Sequence, residues 1–289
     1  MSKSELARMV IKESIENFQA SIPFRAGAAL AYRGLFALAP TVFISMLIVG
    51  SVFGRQVAKQ EVELTLNKLL GSKIVQFIDV NASHAVQRFP DPANQILVIV
   101  TTVAVLLYAA TNMFRELKIA LNSIWGIQPE PKITIISEIK GRLIGLTVYF
   151  AVGFFFLALT TINVILSKLD AYMDLGHPLY LVQGFGSIAS FGVLTMLFAI
   201  IYKLTPDVSL AWGDVWIGSA VTALLFMIGV WGLGIYLSIS TVGSAFGSAE
   251  ALIVILVWIY TSAQVFLAGA AFTCAYASNV GSRRNIASP

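Results

Sequence analysis

The sequence predicts an all-α integral membrane protein with six transmembrane helices, an amphipathic N-terminal helix and short external capping helices. Three observations predict it. Of the 289 residues, 57% are hydrophobic and only 12% charged, where an average soluble domain carries roughly 25% charged residues. The mean hydropathy of +0.82 represents more apolar surface than a soluble globule of this length can hide. The apolar residues also fall into six stretches, near 27–53, 95–113, 143–166, 182–202, 215–237 and 249–274. Each meets the roughly 20 residues that a helix needs to cross a bilayer core of about 30 Å. The whole chain, 1–289, reads as one membrane domain.

Residues 1–24 carry charge throughout (Lys3, Glu5, Arg8, Lys12, Glu13, Glu16) and lack the apolar run of a cleavable signal. Within them Ile11, Ile15, Phe18 and Ile22 recur at helical spacing, which predicts an amphipathic helix over 4–22 that turns at Pro23. Two placements are open: along the cytoplasmic interface, or packed on the cytoplasmic ends of the bundle. The first span is longer than a bilayer requires, so it tilts or begins among the headgroups. Residues 54–94 are too long and too patterned for a plain loop. Val62, Leu66, Leu69 and Leu70 share one helical face and Ile74, Phe77 and Ile78 another, predicting an external helical cap. The cytoplasmic loop 114–142 starts as a continuation of the second span and breaks at Gly126, Pro129 and Pro131. The uncharged Ser/Gly-rich turn 238–248 suits a re-entrant segment or an ordinary tight turn. With six spans both termini share a side. Thirteen of the nineteen basic residues fall on that side and six on the other, which places both termini in the cytoplasm.

Motifs for nucleotide binding, zinc peptidase chemistry or a nucleophile elbow are absent from the sequence. The single cysteine, Cys274, has no cysteine partner in this chain. His84 and His177 fall on the external side near several aspartates, but at no known metal-ligand spacing. The cytoplasmic acids Glu116, Glu130, Glu138, Asp207 and Asp214 are dispersed, whereas metal-assisted hydrolysis needs a cluster. No catalytic residue, metal, cofactor or nucleic-acid partner is expected.

Ionisable and helix-breaking residues at membrane depth carry more information, because each is costly there. Arg33 lies inside the first span; it either lines a cytoplasmic vestibule or snorkels to headgroups. Glu250 opens the sixth span, as a helix-terminus carboxylate or as a cation or proton site. Pro40 leaves the Phe36 carbonyl without its usual partner, marking a pathway kink or a packing bend. Gly27, Ala31 and Gly34 form a close-packing face on the first span, as do Gly218, Thr222, Gly229, Gly232 and Gly234 on the fifth.

Four segments resemble, in order, the signatures of the YihY/BrkB family of bacterial inner-membrane proteins, and the resemblance covers nearly the whole chain. They are Gly27-Ala-Ala-Leu-Ala-Tyr-Arg-Gly-Leu-Phe-Ala-Leu-Ala-Pro40; Ala120-Leu-Asn-Ser-Ile-Trp-Gly126 with Gly141-Arg142-Leu143; Thr205-Pro-Asp-Val208 with Trp212, Asp214, Val215 and Trp216; and Ser244 through Gln264 followed by Phe272-Thr273. The resemblance implies six spans, a bacterial inner membrane, and transport or envelope homeostasis. This chain departs from the family pattern at Arg33, where a second tyrosine is usual. It also departs at Val230 and Ala271, where relatives often carry a basic residue and a glutamate. Those two charges are expected to form an ion pair in relatives, both halves of which are lost here.

The functional expectation is a transporter or exporter of small solutes, ions or lipids. Its candidate pathway or vestibule residues are Tyr32, Arg33, Pro40, Asn122, Arg142, Asp207 and Glu250. Expected partners are membrane lipids, and an anionic headgroup or anionic solute at the basic cytoplasmic surface. The rival is a non-transporting envelope scaffold or partner-binding protein with the 54–94 cap as its docking surface. Ribonuclease activity, an old label of the family, has no catalytic constellation behind it.

Overall fold

The computed structural model describes residues 3–36, 92–127, 180–239 and 250–283. The expected span 143–166, nearly all of the 54–94 cap and of the 238–248 turn, and the cytoplasmic loop beyond residue 127 lie outside them, as do Pro40 and Arg142. Among the described residues every regular element is helical: α1 (Lys3–Ala20), α2 (23–36), α3 (Pro92–Ile124), α4 (Tyr180–Leu204), α5 (Trp212–Ile239) and α6 (Glu250–Asn279). Three stretches are long and apolar enough to cross a membrane, Ser187–Leu204, Trp212–Tyr236 and Leu252–Asn279.

α6 is the hub, packing against α1, α3 and α5, while α4 packs on α5. The α5–α6 contact is antiparallel and reciprocal. A side chain at Gly218 would overlap Thr273, and one at Gly269 would overlap Thr222. Each helix thus seats its threonine on the other's glycine, four residues from its own. Close backbone approach through small residues is how helices associate where lipid removes the hydrophobic drive. Thr222 and Thr273 satisfy their hydroxyls on the Gly218 and Gly269 carbonyls one turn back, at 2.7 and 2.8 Å. Further along α5, Gly229 meets Val265, whereas Gly232 and Gly234 have nothing within 4 Å among the described residues. This register sets Val230 near the level of Thr261, ten residues from Ala271 and about 15 Å along the axis. Charges at those two positions would have to reach across that distance to pair.

α2 uses its small-residue face as expected. Gly27 lies under Gln264 and Tyr260, Gly34 under Ile259 and Met113, and Ala31 is buried. The Gln264 amide donates to the Pro23 carbonyl at 3.0 Å. α1 seats on the C-terminal turns of α6 through Val10, Glu13 and Asn17. Its Glu13 accepts from Asn279, and the Asn17 amide donates to Cys274 Sγ at 3.8 Å. The Cys274 thiol donates in turn to the Ile124 carbonyl at 3.7 Å, one of the carbonyls that the end of α3 leaves without an intrahelical partner. α1 and α2 meet at Ile22, whose φ of 50° is left-handed. That conformation is uncommon for a β-branched residue.

Candidate functional site

Three of the sequence-predicted residues, Arg33, Asn122 and Asp207, meet on the last turns of α3, at the end of the bundle where α3 and α4 finish and α5 begins. α3 runs on past its apolar stretch, as expected, through Asn112, Arg115, Glu116, Lys118 and Asn122, none of which breaks a helix. It stops at Gly126, whose φ of 66° supplies the left-handed residue that closes a helix C-terminus. The Gly126 and Ile127 amides donate back to Ser123 and Asn122 carbonyls.

Two polar pairings hang on this segment, on different faces. Arg33 reaches across from α2: its guanidinium lies 3.2 Å from Glu116 and donates to the Asn112 carbonyl at 3.3 Å. On the other face Asn122 and Asp207 bind at two points. The Asn122 amide donates to Asp207 Oδ2 at 2.8 Å, and the Asp207 backbone N–H donates to Asn122 Oδ1 at 2.9 Å. Lys118 completes the group, 2.8 Å from Asp207 Oδ1. Asp207 is placed by the Thr205-Pro-Asp-Val turn between α4 and α5. Lys203 braces that turn by donating to the Leu210 carbonyl and stacking over Trp212, 5.5 Å from its ring centre.

The structure therefore brings Asn122 and Asp207 together and turns Arg33 to a different partner. Tyr32 points outward, its ring edge-on to Phe36 at 5.1 Å. Glu250 is the first residue of α6, far along the chain's fold from α3's last turns; Arg142 and Pro40 lie outside the described residues. Glu116, one of the dispersed cytoplasmic acids, and Lys118 lie on the helical continuation of α3. Both are partners of named candidates, and their two-residue offset on a helix puts them on separate faces.

Behind this end lies a buried polar seam. The Tyr202 hydroxyl donates to the Phe266 carbonyl at 2.7 Å and lies 3.1 Å from Thr222 Oγ1, which itself donates to Gly218. Two hydroxyl protons thus serve three contacts. Asp214, in the first turn of α5, is buried and accepts from the Ser282 N–H at 2.9 Å and its hydroxyl at 2.6 Å. This folds the segment after α6 back over the start of α5, with Arg283 over the Trp125 ring at 5.7 Å. The hydroxyls of Thr205 and Ser219 are buried with no hydrogen-bond partner among the described residues. Among the described residues there is no group of three or more potential metal ligands.

The family model described as Virulence factor BrkB matches residues 14–288. A UPF0761 membrane protein of Tolumonas auensis is 32% identical over 75 residues, which are 26% of this chain and 25% of that one. The UPF0761 membrane protein of Pseudoalteromonas translucida is 25% identical over 246 residues, 84% of this chain and 78% of its own length. That of Alkalilimnicola ehrlichii is 26% identical over 283 residues, 91% of this chain and 57% of its own length. The matches thus span from a quarter to about three quarters of these relatives. Their names describe membrane proteins and no reaction. No solved structure matches.

Proposed function

The chain belongs to the virulence factor BrkB family, and on that premise we propose that it is a transporter or exporter spanning a bacterial inner membrane six times, both termini cytoplasmic. Its cargo on this reading is a small solute, an ion or a lipid, with an anion favoured by the thirteen-to-six excess of basic residues on the cytoplasmic side. The observation that supports it is the state of the two ion pairs on α3. A sealed pair can be opened only by stranding a buried charge, whereas a half-exposed pair is weakly held and easily exchanged. Here the Arg33 and Glu116 side chains are 35% and 22% exposed, Lys118 and Asp207 34% and 54%. Each cation sits in reach of a competing ligand. An anion can take the guanidinium or ammonium from its carboxylate by charge-assisted hydrogen bonds and hand it back on leaving. Arg142 and Pro40 belong to the same proposed path, and Glu250 to its far end.

The test is flux in proteoliposomes, read by ion-gradient-driven dye quenching and by labelled-lipid exchange between leaflets. Glu116→Gln and Asp207→Asn are each expected to lower flux at least tenfold with an unchanged melting temperature. Wild-type flux in both variants overturns the site. No flux from correctly inserted wild-type protein overturns transport and favours the partner-binding scaffold.

A further inference from the structure

Three of the four apolar residues of the α1 stripe face away from the bundle. α1 docks on α6 through Val10, Glu13 and Asn17, and Phe18, at the edge of the stripe, packs against the buried core. The other three lie about a third of a turn away on the helix surface and stand open, with Ile11 56%, Ile15 53% and Ile22 60% exposed. It does not stop at the helix break. Phe18 and Phe24 meet edge-to-face across it at 6.5 Å, Phe24 is 66% exposed, and the exposed rings of Tyr32 and Phe36 carry the line down α2. The stripe thus runs without interruption from α1 into the first span.

The break itself holds an energetic clue. Ile22 takes a left-handed φ of 50° at a position where glycine would be free of strain. An isoleucine that is both strained and exposed loses twice in water, once in its backbone and once in its side chain. It gains only where its surroundings are apolar. Arg8 and Lys12, one turn apart and both exposed, border the stripe on the side away from α6, and Arg25 borders it beyond the break. The Lys12 ammonium has only a loose, exposed pairing with Glu16 at 3.7 Å, which competes weakly with another anion.

We propose that this stripe is a docking surface for anionic phospholipid of the cytoplasmic leaflet. Ile11, Ile15, Ile22 and Phe24 enter the boundary between headgroups and acyl chains, while Arg8, Lys12 and Arg25 hold headgroup phosphates. The surface stands outside the proposed transport site and does not depend on it.

The test uses the full chain in nanodiscs of phosphatidylcholine and phosphatidylglycerol. Nitroxide labels are placed on Ile11→Cys, Ile15→Cys and, as polar-face control, Glu16→Cys; the parent chain with its buried Cys274 is the blank. Labels at 11 and 15 are expected to collide with oxygen, relative to a water-soluble nickel chelate, at least threefold more than the label at 16. Equal nickel access at all three sites means the stripe faces water and overturns the proposal. Labels at 11 and 15 shielded from both reagents mean that protein covers it, a second copy or the loop beyond 127, and also overturn it. In a second arm, Arg8, Lys12 and Arg25 are changed together to Gln. The preference of the protein for spin-labelled phosphatidylglycerol over phosphatidylcholine is expected to fall at least twofold. An unchanged preference overturns the assignment to anionic lipid.

Discussion

Where α3 and α4 finish and α5 begins, small and polar residues draw the helices into contact; at the other end of the same helices, bulky apolar side chains point outward. α5 contains both regimes. From Asp214 to Ala223 its buried residues are Asp214, Val215, Gly218, Ser219, Thr222 and Ala223, whereas from Ile228 to Tyr236 it exposes Ile228, Trp231, Ile235 and Tyr236. The buried core follows the same division. Phe114, Leu121 and Ile124 of α3, Phe198 and Tyr202 of α4, and Phe266, Leu267 and Ala271 of α6 all sit toward the first end. Burying a leucine against another helix gains little when lipid is the alternative solvent, so contact there has to come from close fit and hydrogen bonds. The glycines, threonines and Tyr202 supply both. On the outer part of α5, Ile228, Trp231, Ile235 and Tyr236 do the opposite job and solvate the helix in its surroundings.

That contrast can be broken most severely at Gly218. Gly218→Leu forces a side chain into the space of Thr273 and is expected to cost about 3 kcal/mol. Thermal melting in detergent should show a large fall, while Gly234→Ala, with nothing near its Cβ, should raise stability by about 0.5 kcal/mol through helix propensity. Similar effects at both glycines would erase the distinction between the ends. Tyr202→Phe removes the buried hydroxyl from the Phe266 carbonyl and Thr222 and is expected to cost about 1.5 kcal/mol. Thr101→Val, which deletes an exposed hydroxyl bonded to its own helix at Leu97, should leave the melting temperature within error. Asp214→Asn weakens the clasp on Ser282 by about 1 kcal/mol, and cleavage by a nonspecific protease near residue 282 should accelerate accordingly. A small coupling is expected at the half-exposed pair: a double-mutant cycle on Arg33→Gln and Glu116→Gln should return about 0.5 kcal/mol. A coupling several times larger would mean that the pair is structural and would weaken the case for exchangeable partners.

Much of the fold was legible in the sequence because apolar runs and punctuation are local. The expected spans 182–202, 215–237 and 249–274 fall inside α4, α5 and α6 to within a few residues, except that α6 continues to Asn279. The amphipathic helix, the turn at Pro23, the continuation of α3 and its break at Gly126 were all readable for the same reason. What was not legible is which helix answers which. Arg33 and Glu116 are 83 residues apart and Asn122 and Asp207 85, and periodicity assigns a residue to a face but names no neighbour. One signal was available and unused: Gly-x-x-x-Thr at 218–222 recurs at 269–273. The repeat marks two helices built to receive each other.

That reciprocal seat has a mechanical consequence. Slide α5 one turn along α6 in one direction and Thr222 rides onto Thr273; slide it in the other and Gly218 comes to face Gly269 across a gap. Neither position is a resting place, so the pair has a single detent, and shear between these two helices is not among the molecule's easy motions. Whatever the protein does when it works, α5 and α6 travel as one rigid strut. The rearranging is left to helices such as α2 and α3, whose charged pairs can let go.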